Sequence, residues 1–206
     1  MFKPHLISTS AHFKDLDRIN RYKESYGLIS NYKELFNSVS ILETVSKSKL
    51  DYLEDTGFNV FYSPLGNHHP NKGVNWIIHL SYFLFNCDLK DDDIIVFITG
   101  RYNILNINML FLIEKYMVEE KNEFIAKEDG GVFEGDNGVH TFYIAFTKAK
   151  FLNFFEWYKI NGRTQDCIEW DVKKYLATHE KCLILPKNFI MGVELQMIEY
   201  PIKHIC

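Results

Sequence analysis

Two patterns of apolar residues alternate along this chain. Short continuous runs such as Ile94-Ile-Val-Phe-Ile98, bounded by polar clusters, have the length and β-branching of strands buried on both faces. Between them, apolar residues recur three and four apart, the spacing of helices that cover a sheet. The pattern predicts a first strand His5–Ser10 ending in hydroxyls, then a charged helix from about Phe13 to Tyr26. A second helical stretch is expected over about Tyr32 to Asp55, where Leu35, Val39, Leu42, Val45 and Leu50 are near-helically spaced, with Gly57 as its stop. Phe58–Tyr62 reads as a strand. A loop containing Pro64, Gly66, His68, His69 and Pro70 leads to the turn Asn71-Lys72-Gly73 and a helix ending near Phe85. After the Ile94 strand come a helix around Asn108 to Glu120 and a short strand Phe124–Lys127. A glycine-rich excursion then leads to a strand Thr141–Phe146, helices around Lys150–Tyr158 and Asp166–Thr178, and a last strand Cys182–Leu185. No repeat, low-complexity tract or linker interrupts this alternation, which predicts one α/β layer structure.

A chain of 206 residues is long enough for one sizeable core and short for two. Its net charge of −4 argues against a general nucleic-acid binder, so any anion site must be local. Cys87, Cys167, Cys182 and Cys206 show no Cys-x-x-Cys spacing, which fits reduced thiols better than a disulfide frame or a zinc site. No apolar run reaches the roughly 18 residues of a spanning helix, and the first residues lack a signal-peptide core. A soluble protein of the cytoplasm is expected. The aromatic share of 16% is high; many of those rings must be core, and an aromatic-rich cleft would also suit stacking on sugars or bases.

Candidate chemistry gathers where strands end. In open α/β sheets ligands sit at the carboxyl ends of the strands. The Ile94 strand delivers Thr99-Gly100-Arg101-Tyr102 there: a glycine permits close backbone approach, and an arginine presents a planar fork suited to a diphosphate. A turn glycine and an arginine paired with a nearby carboxylate are the plainer reading. Ser8, Thr9 and Ser10 end the first strand, as ligand contacts or as turn and cap groups. Lys72, Gly73 and Asn75 stand where a helix N-terminus and a lysine favour a phosphate, though Asn71 capping a plain helix would leave the same trace. Asp91, Asp92 and Asp93 spell an Asp-x-Asp but lie at the opposite end of their strand, about 16 Å from Thr99 at strand rise. They read as a solvated turn. Glu169 and Asp171 open a late helix, where Asp166 and Glu169 also have capping-box spacing. His68-His69 read as exposed imidazoles, Trp76 and Trp157 as packing residues, and Trp170 as a sugar platform or core.

In order and spacing, the Asn71-Lys-Gly-Val-Asn75 turn, the acidic lead-in to Thr99-Gly-Arg-Tyr102, the His140-Thr-Phe142 strand entry and Ile168-Glu-Trp-Asp171 resemble the nucleotide-sugar-dependent glycosyltransferases of GT-A type found in large DNA viruses and bacteria. The resemblance implies a single GT-A-like (Rossmann-like) domain over residues 1–206, a mixed sheet flanked by helices, standing alone or as one domain of a larger enzyme. It implies transfer of a sugar from a nucleoside-diphosphate sugar, a UDP-sugar first, to a glycan hydroxyl in the cytoplasm, the host's if the chain is viral. Ser8, Thr9 and Ser10 would hold the nucleoside; Lys72, Gly73, Asn75, Thr99, Gly100 and Arg101 the diphosphate side; and Glu169, with Asp171 second, would be the base. GT-A enzymes usually hold Mn2+ or Mg2+ with an Asp-x-Asp where this chain has Thr99-Gly100-Arg101. Either the cations Arg101 and Lys72 replace the metal, or acids such as Asp129 or Asp136 supply it. A nucleotidyltransferase on the same sheet and a non-catalytic nucleotide-sugar-binding module are the alternatives. The first wants a glycine-rich basic loop after the first strand, which Ser8-Thr-Ser-Ala-His12 does not provide.

Overall fold

The computed structural model describes residues 2–100, 102–128, 138–163, 167–190, 192–195 and 204–205. Its main sheet takes β1 (His5–Ser10), β2 (Ser38–Glu43), β3 (Asn59–Tyr62), β4 (Ile94–Thr99), β6 (Phe124–Glu128), β7 (Val139–Thr147) and β8 (Cys182–Leu185), in the order β3-β2-β1-β4-β7-β6-β8. Strands β1 to β4 are mutually parallel, and β7 runs against both of its neighbours. The chain steps outward from β1 to β3, then returns to place β4 on the other side of β1. The crevice between β1 and β4 is therefore a switch point, where the chain leaves two adjacent strands in opposite directions. A smaller antiparallel sheet joins β5 (Tyr102–Ile104), β9 (Val193–Leu195) and β10 (His204–Ile205).

Each central strand feeds two cores, which is why its apolar residues are contiguous rather than alternating with polar ones. Leu6, Ile41, Val96 and Ile98 pack on one face against Tyr22, Tyr26 and Ile29 of α1 (Leu16–Ser30) and Met109 and Ile113 of α4 (Asn108–Ile113). Ile7, Leu42, Ile95 and Phe97 pack on the other against α3 (Lys72–Asn86), α5 (Lys148–Asn161) and α6 (Ile168–Thr178). Phe124, Phe146, Phe151, Phe154 and Tyr175 form a connected aromatic cluster in that second core, which accounts for much of the aromatic excess.

One predicted element is overturned. The expected helix over Tyr32 to Asp55 is a 3-10 turn (Lys33–Leu35), strand β2 and a single helical turn, α2 (Asp51–Glu54). Val39 and Leu42 lie on opposite faces of a doubly buried strand, so their three-residue spacing imitates a helix without being one. The alternation Ser38-Val-Ser-Ile41 carried the β signal. Gly57 ends this segment with φ +68°, a backbone shape that favours glycine. The first helix starts later than expected, at Leu16, because Asp15 caps it through Oδ1, which accepts the Asp17 and Arg18 N–H groups. Strands β5, β9 and β10 had no counterpart in the pattern, since two or three residues are too few to establish a period.

Glu43, the last residue of β2, is 0% exposed. Its carboxylate accepts the N–H groups of His12 at 3.0 Å, Val45 at 2.7 Å and Ser46 at 2.8 Å. One buried charge thus ties together the loops that leave β1 and β2, and the three donors offset its desolvation. Glu43→Gln keeps the shape but removes the charge, and with its oxygen at the Oε1 position it turns an NH2 toward the His12 amide. Urea titration is expected to show a loss of about 2–4 kcal/mol.

Candidate functional site

Above the switch point lies a cavity of about 260 Å³, lined by Thr9, Ser10 and Ala11 from the end of β1, Thr44 and Asn67 from the loops after β2 and β3, and Thr99 and Gly100 from the end of β4. Phe13, Arg18 and Tyr22 close it from the α1 side, and Lys72, Asn75, Trp76 and His79 from α3. Thr9 and Thr99 are register partners, so strand alternation puts both hydroxyl side chains on the α3 face. The Thr99 hydroxyl is buried without a partner among the described residues. Such a group is costly to leave unmatched and is a usual place for a ligand to bond.

Of the predicted donor-site residues, Thr9, Ser10, Lys72, Asn75, Thr99 and Gly100 meet around this cavity. Ser8 and Gly73 do not line it, and Arg101 lies outside the described residues, as do Asp129, Asp136 and Asp166. Ser8 is fully buried within β1. Gly73 serves helix packing: a Cβ there would come within 2.5 Å of Ile168 Cγ2, so the glycine lets the start of α6 dock on the start of α3. Asn75 lines the wall, but its Oδ1 accepts the His69 N–H and its Nδ2 donates to the His69 carbonyl. It therefore braces the turn into α3. Gly100 answers an internal constraint as well. Its N–H donates to the Thr9 carbonyl at 2.9 Å, and a Cβ would sit 2.1 Å from that oxygen and 2.7 Å from the Tyr26 hydroxyl.

Among the lining residues, Phe13, Arg18, Tyr22, Thr44, Asn67 and His79 were not site candidates in the sequence. The signal that would have found Arg18 is Asp15 as an N-cap, which places that arginine in the first turn of α1, directly beyond β1. His79 lies on α3 with no exposure. Asn67 Nδ2 donates to the Thr44 carbonyl at 3.0 Å, so its Oδ1 takes the His79 Nε2–H at 3.0 Å, and His79 Nδ1 accepts the Ser63 hydroxyl at 2.6 Å. Burial first, and the nearby Lys47 ammonium second, push the imidazole down to about 4, against a smaller opposing pull from Glu43. His79 is neutral near pH 7 and holds Asn67 in place.

The predicted acids do not line this cavity; they sit in the first turn of α6, whose first residue, Ile168, packs against Gly73 at the start of α3. Glu169 is half-buried; its Oε1 accepts the Thr141 hydroxyl at 2.8 Å and its Oε2 the Cys167 thiol at 2.6 Å. Asp171 is 3% exposed and accepts the Arg163 N–H at 2.8 Å, which commits it to the turn before the helix. Thr141 lies inside β7, which begins at Val139 and so includes His140 rather than following it. Trp170 is exposed, and Trp157 packs on Tyr175 and His179. Trp76, expected only to pack, stacks on Phe97 and also edges the cavity. At the far end of β4, Asp93 pairs with His5 at 3.7 Å, while Asp91 and Asp92 are exposed in a turn.

A GT-A-type divalent metal does not fit the described residues. They contain no group of three or more His, Cys, Asp or Glu side chains able to hold an ion. The Glu43 carboxylate behind the cavity is occupied by three backbone amides, and both His79 ring nitrogens are bonded.

No family model matches the chain, and no curated protein matches its sequence. Its fold is shared with solved transferases of several kinds. It is similar to the 4-diphosphocytidyl-2C-methyl-D-erythritol synthase of Anaerococcus prevotii, with TM-score 0.55 and 13% identity over 91% of this chain and 90% of that one. A second neighbour is the galactosyltransferase LgtC, solved with donor and acceptor sugar analogues, at TM-score 0.55 and 10% identity over 88% of this chain and 72% of that one. The glycosyltransferase GlyE of Streptococcus pneumoniae gives TM-score 0.56 and 7% identity, over 89% of this chain and 45% of that one. The chain is thus an α/β protein whose mixed sheet and flanking helices match the arrangement shared by GT-A glycosyltransferases and nucleotidyltransferases.

Two measurements probe the site's framework. Unfolded histidine titrates near 6.5 and folded His79 near 4. Below pH 6.5 the unfolded chain binds a proton that the folded chain refuses, so the contribution of neutral His79 is complete above that pH and drains away toward pH 4. Chemical denaturation across this window is expected to show a loss of about 2–3 kcal/mol, with a flatter profile in His79→Gln. Gly100→Ala should cost about 2–3 kcal/mol by thermal or urea unfolding, because the new methyl meets a backbone oxygen that cannot turn away.

Proposed function

We propose that this chain is a glycosyltransferase that moves a sugar from a nucleoside-diphosphate sugar, a UDP-sugar first, to a hydroxyl of a glycan, working in the cytoplasm as a single GT-A-like domain over residues 1–206. The observation that carries the reading is the cavity at the β1/β4 switch point, lined by strand-end hydroxyls and by the cations Arg18 and Lys72, with Glu169 at the start of the helix that packs on the first turn of α3. The order of the Asn71-Lys-Gly73, Thr99-Gly-Arg-Tyr102, His140-Thr-Phe142 and Ile168-Glu-Trp-Asp171 segments supports placing the chain beside the enzymes of large DNA viruses and bacteria.

A volume of about 260 Å³ lies just below the roughly 300–1,000 Å³ of pockets that enclose a drug-sized ligand. It seats one part of a nucleotide-sugar, and the remainder lies over the strand ends toward α6. Thr9 and Ser10 offer hydroxyls to the nucleoside, and Thr99 a hydroxyl and Lys72 a cation to the diphosphate. In the transfer, the acceptor oxygen bonds to the sugar's anomeric carbon as the bond to the diphosphate breaks. The acceptor proton passes to the Glu169 carboxylate, and the nucleoside diphosphate departs with the electron pair. Thr141 and Cys167 orient that carboxylate by donating to it. Asp171, spent on the Arg163 amide, is the weaker candidate.

Nucleotidyl transfer is the second reading. What favours it is that Arg18 supplies from α1 the cation that the segment directly after β1 lacks. A nucleotidyltransferase releases pyrophosphate from a nucleoside triphosphate, whereas a glycosyltransferase releases a nucleoside diphosphate.

Calorimetric titration with UDP, GDP and their sugars tests the pocket, and failure of the whole series to bind overturns the reading. With a productive donor, Glu169→Gln is expected to lower kcat by about 10²–10⁴, the usual share of a general base, and to leave donor affinity within about threefold. Equal turnover in the variant and wild-type proteins removes Glu169 from the mechanism.

A further inference from the structure

Arg18 is the unexplained group of the cavity. Its guanidinium carbon lies 4.6 Å from the centre of the Phe13 ring, and both side chains line the cavity. Its Nε is buried and meets no acceptor, and its side chain forms no ion pair among the described residues. The acids nearest in sequence do not claim it: Asp15 Oδ1 is given to the Asp17 and Arg18 backbone amides, and Asp17 is exposed. Lys72, at the first turn of α3, likewise has no bonded partner among the described residues. Two cations therefore line one cavity with no carboxylate among its lining residues. Leaving a guanidinium donor unmatched is unfavourable unless something else brings the acceptor.

We propose that Arg18 and Lys72 together bind the diphosphate of the nucleotide directly, in place of a carboxylate-held metal ion. This rests on the nucleotide-sugar reading of the same cavity and assigns Arg18 a role that no sequence motif suggested. The planar guanidinium presents parallel N–H donors to two phosphate oxygens, and its stacking on Phe13 fixes the fork before the ligand arrives, which lowers the ordering cost of binding. Lys72 adds a point charge at a helix N-terminus whose own polarity favours an anion. The donor set is what a diphosphate would use, and the opposite of what a divalent cation would use. The arrangement also suits the leaving group, because fixed positive charge beside the departing diphosphate stabilises the charge it gains.

The test is calorimetry with UDP and with uridine in EDTA, then with Mn2+, on the wild-type chain and on Arg18→Gln, Arg18→Lys and Lys72→Gln, each first shown to melt cooperatively. The expected result is UDP binding in EDTA. Arg18→Gln should weaken it about 10- to 100-fold, the range for losing a charge-assisted bond, while uridine affinity stays unchanged. Arg18→Lys should recover only part of the loss, since it restores charge without the fork. UDP binding that is unchanged in Arg18→Gln overturns the role of Arg18 and leaves the transferase reading standing. UDP binding that appears only with Mn2+ overturns metal-free capture while the pocket assignment survives. Failure of the wild-type chain to bind any nucleoside diphosphate with or without metal overturns both readings.

Discussion

The hydrogen bond from the Gly100 amide to the Thr9 carbonyl holds β1 and β4 together one residue beyond their last paired threonines, and the site depends on it. At that point the chain departs in two directions, α1 on one face and, by way of β2 and β3, α3 on the other. Were the two strand ends to splay, the Thr9 and Thr99 hydroxyls would no longer share a floor. The Tyr26 hydroxyl, which donates to the same Thr9 oxygen at 3.2 Å, packs so close to Gly100 that no side chain fits between them. The glycine of the Thr-Gly-Arg-Tyr segment is thus explained by the protein's own backbone, before any ligand is considered.

Around that floor, the polar groups divide into those already spent and those left open. Glu43 is spent on three amides, Asn75 on both polar atoms of His69, and His79 on Ser63 and Asn67. These residues line or back the cavity, yet their hydrogen bonds point into the scaffold and set its shape. Among the described residues, Ser10, Thr99, Arg18 and Lys72 are the open ones. Keeping His79 neutral matters to this division, since a third positive charge in the wall would need a counter-charge that the scaffold does not supply. The division also turns a list of lining residues into a statement about ligand chemistry: what remains unbonded is cationic and hydroxylic, so the complement is an anion bearing oxygens.

Most of the parallel sheet was legible in the chain because strands buried on both faces are written as contiguous β-branched and aromatic runs, and Ile94 to Ile98 is the clearest. The same double burial hid β2, where Val39 and Leu42 serve different cores and mimic one helical face. Lys72, Thr99 and Gly100 were readable as strand-end and helix-start chemistry, since position along an element predicts position in the fold. Arg18 was not, because its placement depends on Asp15 starting the helix three residues before it rather than at Phe13. Phe13 itself, 48% exposed, looks like an ordinary surface aromatic until the guanidinium above it is seen. Gly73 was read for phosphate approach, and its crowding against Ile168 of a helix nearly a hundred residues away could be found only in three dimensions.

In the proposed sugar transfer the distinguishing group is Glu169 rather than the cations, because two positive groups at a switch point serve either leaving group. As a capping-box member Glu169 would bond a backbone amide at the start of its own helix. Its carboxylate instead accepts from the Thr141 hydroxyl, on a strand 28 residues earlier, and from the Cys167 thiol. The N-cap residue of that helix, Cys167, makes no capping bond from its side chain. A carboxylate held from two sides by side chains, half-buried, on a helix whose first residue touches the helix bearing Lys72, is positioned rather than merely satisfied. Each of its oxygens keeps a lone pair for a further donor. That spare capacity is what a base needs when an acceptor hydroxyl approaches, and it supports the proposed sugar transfer.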